Sequence, residues 1–170
     1  YEEVLAIGYE GIIAKAQKEL DECNVGDGDY AKKSRFLEAV IMSCQAVIDY
    51  AHRYAELAEQ MAYQCQDPTR KQELLQIASN CTRVPAKGAR NFYEACQSFW
   101  FVQQLIQMES SGHSISPGRF DQYMYDLYEK DIASGKISKE KALEYIIHMF
   151  LMNSTNNKVR GYGHTKFSQG

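Results

Sequence analysis

Between Tyr30 and Cys65 the chain contains neither proline nor glycine, and Phe36, Val40, Cys44, Val47, Ala51, Tyr54, Ala58, Met61 and Cys65 keep helical spacing throughout. Such a run predicts one continuous, partly buried helix of about ten turns at 3.6 residues per turn. A helix of that length dictates its surroundings. Its apolar side needs other elements laid along it, so the fold expected around it is mainly α.

The flanking segments agree. Val4, Gly8, Ile12, Ala16 and Leu20 recur every fourth residue with Leu5 and Ile13 beside them, the stripe of an amphipathic helix closing near Asn24. "NVGDGD" then supplies residues that tolerate left-handed turns, with Asp29 placed to cap the long helix. In "DPTRKQELLQIASNC", Asp67 reads as a cap and Pro68 as the first helical residue, with Leu74, Leu75, Ile77, Ala78 and Cys81 facing inward. "TRVPAKGAR" breaks that helix. The next, from Asn91 to about Met108, is apolar almost all round, as in a helix buried inside something larger. A last helix begins in "GKISKEKALEYIIHMFLMNSTNN", capped by Ser138 with Glu140 in its first turn, and the tail "KVRGYGHTKFSQG" has no helical period and reads as loop or strand start.

At 170 residues with 45% hydrophobic composition the chain can bury one core, and a single unit is expected. It starts without Met and stops at "KFSQG", which suits a piece of a longer polypeptide. A net charge of -3 and a pI near 5.8 give no attraction for phosphate backbones or anionic lipid, so neither nucleic acid nor membrane is expected as a partner. No apolar run approaches the roughly 20 residues of a membrane span, and no basic signal start precedes one, which suits a cytoplasmic protein. The five cysteines, at 23, 44, 65, 81 and 96, form no CxxC or Cys/His pattern; they read as buried thiols, and no metal site is expected.

Candidate chemistry gathers in "ESSGHSISPGRFDQYMYDLY", residues 109–128, between the apolar helix and an aromatic one. His113 and Ser114 offer an imidazole and a hydroxyl that can donate to or accept from a small polar ligand; equally, they can serve as a cap and a surface donor. Arg119 and Asp121 suit a ligand clamp or, better, pairing with each other at a helix start. Phe120, Tyr123, Tyr125 and Tyr128 read as a packing face with hydroxyls at its edge. His52, His148 and His164 are isolated, and "GYGH" lacks the Lys-Ser/Thr of a phosphate loop.

The stretch "FYEACQSFWFVQQLIQMESSGHSISPGRFDQYMYDLYEKDI", residues 92–132, resembles the glycyl radical enzymes, the superfamily of pyruvate formate-lyase. "FLEAVIMSCQAVIDYAHRYAELAEQMA" and "ELLQIASNCTRVP" before it, and "NNKVRGYGHTKF" after it, extend the likeness over essentially the whole chain. "GHSISPGRFDQYMY" is most similar to the branch of glycerol and propanediol dehydratases and choline trimethylamine-lyase. Where that branch continues "MYPYY", this chain has Asp126 and Leu127.

The resemblance implies a segment, residues 1–170, of a pyruvate formate-lyase-type domain, whose whole is a ten-stranded α/β barrel surrounded by such helices. It implies radical elimination from a small polar substrate such as glycerol, propane-1,2-diol or choline, with His113 and Ser114 lining the substrate cavity. It also implies a glycyl radical installed by a radical S-adenosylmethionine activating enzyme and passed to a cysteine in a "GCxEP"-like loop. Neither of those two motifs occurs in these residues, and no cysteine here is expected to carry the radical, so the segment alone should not turn over. A homodimer is left open. The rival expectation from another class is a helical scaffold or binding protein without catalysis.

Overall fold

The structure, a computed structural model, describes residues 1–110 and 115–155. The described residues form six helices: α1 (Glu2–Asp21), α2 (Tyr30–Gln64), α3 (Pro68–Arg83), α4 (Phe92–Glu109), α5 (Phe120–Ala133) and α6 (Lys139–Thr155). No strand occurs among them, as the helical periodicities require. The tail from residue 156 onward, with its expected loop or strand and His164, lies outside the described residues. The chain divides into two compact units, one from Glu2 to Arg90 and one comprising Tyr1 and the chain from Asn91 onward.

In the first unit α2 is the spine. Its buried residues are Ser34, Cys44, Ile48, Ala51, Ala55, Ala58 and Ala62, and from Cys44 onward they alternate steps of four and three along the helix. That spacing keeps one narrow seam facing its neighbours, and alanine in the seam lets the helices approach closely. Near one end of the spine, Lys33 Nζ reaches Glu19 of α1 at 3.2 Å; near its middle, His52 Nε2 lies 3.3 Å from the Thr82 carbonyl at the end of α3. α1 therefore runs beside the first half of α2 and α3 beside the second. The seam differs from the expected inner face, because Phe36, Tyr54 and Met61 stand exposed. Bulky rings and thioethers fit poorly where helices are close, and small residues took the seam instead: Ala55 beside Tyr54, Ala62 beside Met61 and Ser34 two residues before Phe36.

Between α1 and the 84–89 segment that follows α3, the backbone closes a clasp. Tyr9 and Glu10 N–H donate to the carbonyls of Pro85 and Ala86, each at 2.9 Å, and Ala89 N–H donates back to the Leu5 carbonyl at 2.9 Å. Gly8 makes this possible. Its φ of 69° and ψ of 177° interrupt α1, in a region essentially reserved for glycine. A Cβ there would strike Ala86 O and the Lys87 backbone, and one on Gly88 would strike Ala6 O. The periodicity placed Gly8 within the apolar stripe; it is instead the break that lets the 84–89 segment dock. The Val84–Pro85 bond in that segment is cis.

Caps decide the helix ends. Asp67 accepts from Thr69 and Arg70 N–H and Pro68 opens α3, as expected. Ser138 Oγ accepts from Lys141 N–H at 3.1 Å, and the Glu140 carboxyl is held low by backbone and Ser138 hydrogen bonds. Asp29 differs from expectation: its side chain makes no cap bond, and its carbonyl alone accepts from Lys32 and Lys33.

The second unit is built on α4, against which α5 and α6 pack. Phe92, Ala95, Cys96, Phe99, Phe101 and Val102 are buried, and so are Glu94, Ser98 and Gln103. Around them rings meet: Phe92 with Tyr128, Phe99 with Phe120, and Tyr93 stacked on Tyr145 at 4.4 Å. Asn91 caps α4 by accepting from Glu94 N–H, and the buried Asp131 of α5 accepts from Phe92 N–H at 2.7 Å. Two acceptors thus satisfy free donors of the α4 N-terminus, where negative charge also suits the helix dipole.

Candidate functional site

His113 and Ser114 themselves lie outside the described residues, in the four-residue break between Ser110 and Ile115. What the structure describes is the frame on either side. α4 ends with Ser110 at its C-cap, and α5 begins at Phe120 after the non-helical segment Ile115–Arg119.

That segment is tied down at two carbonyls. Gln103, buried to 3% exposure on α4, donates from Nε2 to the Ile115 carbonyl at 3.1 Å. Tyr123, on α5, donates its hydroxyl to the Pro117 carbonyl at 2.7 Å. The Tyr1 hydroxyl donates in turn to Gln103 Oε1, and its ring lies against Phe99 at 5.0 Å and stacks on Tyr123 at 5.7 Å. Gln103 is thereby used at both ends of its amide, one donor and one acceptor, which is what a buried amide requires. Burial raises the Tyr1 and Tyr123 hydroxyls above the usual phenol range, which favours the protonated, donating form of each. At the corner, Ser116 Oγ accepts from Gly118 N–H at 3.2 Å and Gly118 takes a φ of 68°.

The charged pair at the α5 start is on the surface. Arg119 and Asp121 meet at 3.4 Å with both side chains exposed, and the Asp121 carboxyl is held low first by the Gln122 amide and then by Arg119. The structural reading of this pair is the one seen. Of the four rings read as a packing face, Phe120, Tyr123 and Tyr128 pack as expected; Tyr125 is 51% exposed and bonds Glu129 instead.

Two residues important here carried no signal of function in the sequence. Gln103 reads as one more member of an apolar helix, and Asp131 only as a carboxylate too far from Glu109 for a glycosidase-type pair. A polar side chain inside an apolar face is the only local hint, since burial obliges it to find a partner.

The cysteines offer no reactive centre among the described residues. Cys44, Cys81 and Cys96 are buried on helices, and burial pushes the thiols of Cys81 and Cys96 up to about 12. Cys65 closes α2, and Cys23 follows α1 with its sulfur on the Glu19 carbonyl. Among the described residues no group of three or more His, Cys, Asp or Glu is arranged to hold a metal, and no helix is long and apolar enough to cross a membrane.

A pyruvate formate lyase-like family model matches residues 1–170. The chain belongs to that family. A solved structure of 1,2-propanediol dehydration in Roseburia inulinivorans is 54% identical over 94% of this chain, with a TM-score of 0.89. The glycerol-bound, B12-independent glycerol dehydratase of Clostridium butyricum is 46% identical over 98%, with a TM-score of 0.92. The isethionate sulfite-lyase of Bilophila wadsworthia is 40% identical over 89%. The chain spans about a fifth of the length of these relatives: 20%, 21% and 18% of each in turn. The family and its dehydratase and lyase branch are the ones that "GHSISPGRFDQYMY" resembles.

Proposed function

We propose that these residues are the substrate-positioning part of a glycyl radical dehydratase or lyase acting on a small diol, glycerol or propane-1,2-diol. The observation that carries the choice of substrate is the 54% identity to the protein of 1,2-propanediol dehydration, against 40% to the isethionate lyase. Choline, the third substrate that the motif resembles, has no counterpart among these three relatives.

In this reading His113 and Ser114 bind the substrate. Vicinal hydroxyls need a donor and an acceptor at adjacent positions; a neutral imidazole supplies one of each, and a serine hydroxyl can act as either. Holding the diol in one rotamer fixes which hydrogen is presented and which hydroxyl leaves, the orientation share of catalysis. The glycyl radical of the complete enzyme supplies the homolytic hydrogen abstraction. The cysteines here do not fit a part in it, being placed on helices or at their ends, and three of them buried. The segment alone is therefore expected to be inactive. The complete enzyme would add the ten-stranded barrel, the thiyl-cysteine loop and the glycyl domain. It would be activated by a radical S-adenosylmethionine enzyme in the cytoplasm, require no metal of its own, and a homodimer suits the family.

The test is a substrate comparison on the full-length, anaerobically activated protein with glycerol, propane-1,2-diol, choline and isethionate. Diol turnover that collapses in His113→Ala and Ser114→Ala is expected. Turnover of isethionate or choline alone, or wild-type kinetics in both variants, would remove the reading.

A further inference from the structure

We infer that the outer face of α6, formed by Leu143, Ile147, Phe150 and Leu151, is an internal packing surface of the complete protein, covered by the part of the same polypeptide that lies outside residues 1–170. The inference rests on the proposed reading of these residues as part of a longer enzyme.

α6 has two apolar faces. Ala142, Tyr145 and Met149, spaced by three and four, form the inner one: Ala142 and Met149 are buried, and Tyr145 stacks on Tyr93 of α4 at 4.4 Å. Leu143, Ile147, Phe150 and Leu151 follow the i, i+4, i+7, i+8 pattern of a second stripe, turned away from the first. These four stand 56%, 48%, 60% and 58% exposed. A surface helix carries its charges on the side away from the core, whereas a helix apolar on both sides is buried on both.

Charge and length point to the occupant. From Tyr145 to Met152 there is no Asp, Glu, Lys or Arg, and in the turn before them Lys141 and Glu144 pair with each other at 2.8 Å. A partner that comes and goes docks on an apolar centre with a polar rim, because such a face must stay soluble when bare. Along α6 that rim is missing over two turns, which suits permanent burial. Relatives of which this chain spans 20% and 21% have about four residues elsewhere for each one here, and longer chains bury a larger share of their surface.

The test uses the full-length protein before activation. Hydroxyl-radical footprinting of the wild type reads all four side chains in the tryptic peptide 142–158, with no substitution needed. Their modification should be slowed about tenfold or more relative to the same peptide free in solution, since a covered side chain is reached only through local opening. Rates close to those of the free peptide would overturn the inference. Photoreactive p-benzoylphenylalanine in place of Phe150 or, separately, of Leu143 then identifies the cover. A cross-link within one chain to a residue outside 1–170 is expected. A cross-link between two chains would give the face to a second copy, and cross-links confined to residues 1–170 would leave no external cover; either would overturn the inference. Failure of the diol comparison would remove the substrate reading and leave the buried face standing, because burial is read without turnover. Free-peptide rates in an enzyme that still turns over diols would remove the face and leave the substrate reading.

Discussion

The two units of this chain are both helical, yet different forces hold them. From Glu2 to Arg90, a long spine packs through small residues such as Ala51, Ala55, Ala58 and Ala62, and the break in α1 at Gly8 is joined to the 84–89 segment by backbone hydrogen bonds. From Asn91 onward, large rings fill the interior, and buried or half-buried polar side chains reach out to backbone groups: Asp131 to Phe92, Gln103 to Ile115, Tyr123 to Pro117. The first arrangement makes a rod whose shape depends on steric closeness. The second makes a frame whose shape depends on directed bonds, and a frame is what a binding loop needs, because hydrogen bonds fix direction and apolar contacts do not.

That contrast can be broken at several points. The largest effect is expected at the clasp. Gly8→Ala or Gly88→Ala should cost about 3 kcal/mol or more, read by urea unfolding, since a Cβ collides with carbonyl oxygens at both sites and Gly8 also sits at a strained dihedral. A loss under about 1 kcal/mol would mean that the closeness of the rod is dispensable. In the frame, Asp131→Ala leaves a buried Phe92 N–H without its charged acceptor and should cost about 2 to 3 kcal/mol; Asp131→Asn, which keeps an acceptor, should recover part of it.

Alkaline titration reaches both units, through Cys81 in one and Cys96 in the other. Their thiols titrate at about 12 when folded against 9.0 for an unburied thiol, so between these values the unfolded chain has released protons that the folded chain retains. Stability should be fully present below pH 9 and decline as pH rises towards 12. Replacing both cysteines by alanine should flatten that decline in melting experiments, and an equally steep decline in the variant would reassign it to other groups. For the same reason both thiols should resist alkylation at neutral pH.

Smaller effects mark the edges. Asp67→Ala should cost about 1 kcal/mol by removing the α3 cap. Arg119→Ala should stay within about 0.5 kcal/mol, because the pair with Asp121 is solvent-exposed.

Much of this could be read in advance, and the reason is local. Proline at 68, serine at 138 and the uninterrupted run from Tyr30 act on residues within a turn of themselves, so helix starts and lengths were legible. So was the resemblance of residues 92–132, which the family match extends over the whole chain. The inward face of α2 was less legible, because Phe36 and Ala55 are both apolar, and which one is buried depends on how near α1 and α3 come. The role of Gly8 depended on a loop almost eighty residues further along.

The same division holds at the candidate site. Residue type alone made His113 and Ser114 a donor and acceptor pair, and spacing alone made Arg119 and Asp121 neighbours. That Gln103 and Tyr123 should grip the segment after them was decided by tertiary packing. Backbone carbonyls are identical at every position, so a side chain that binds one leaves no partner to find in the sequence; only the approach of α4 and α5 selects Ile115 and Pro117.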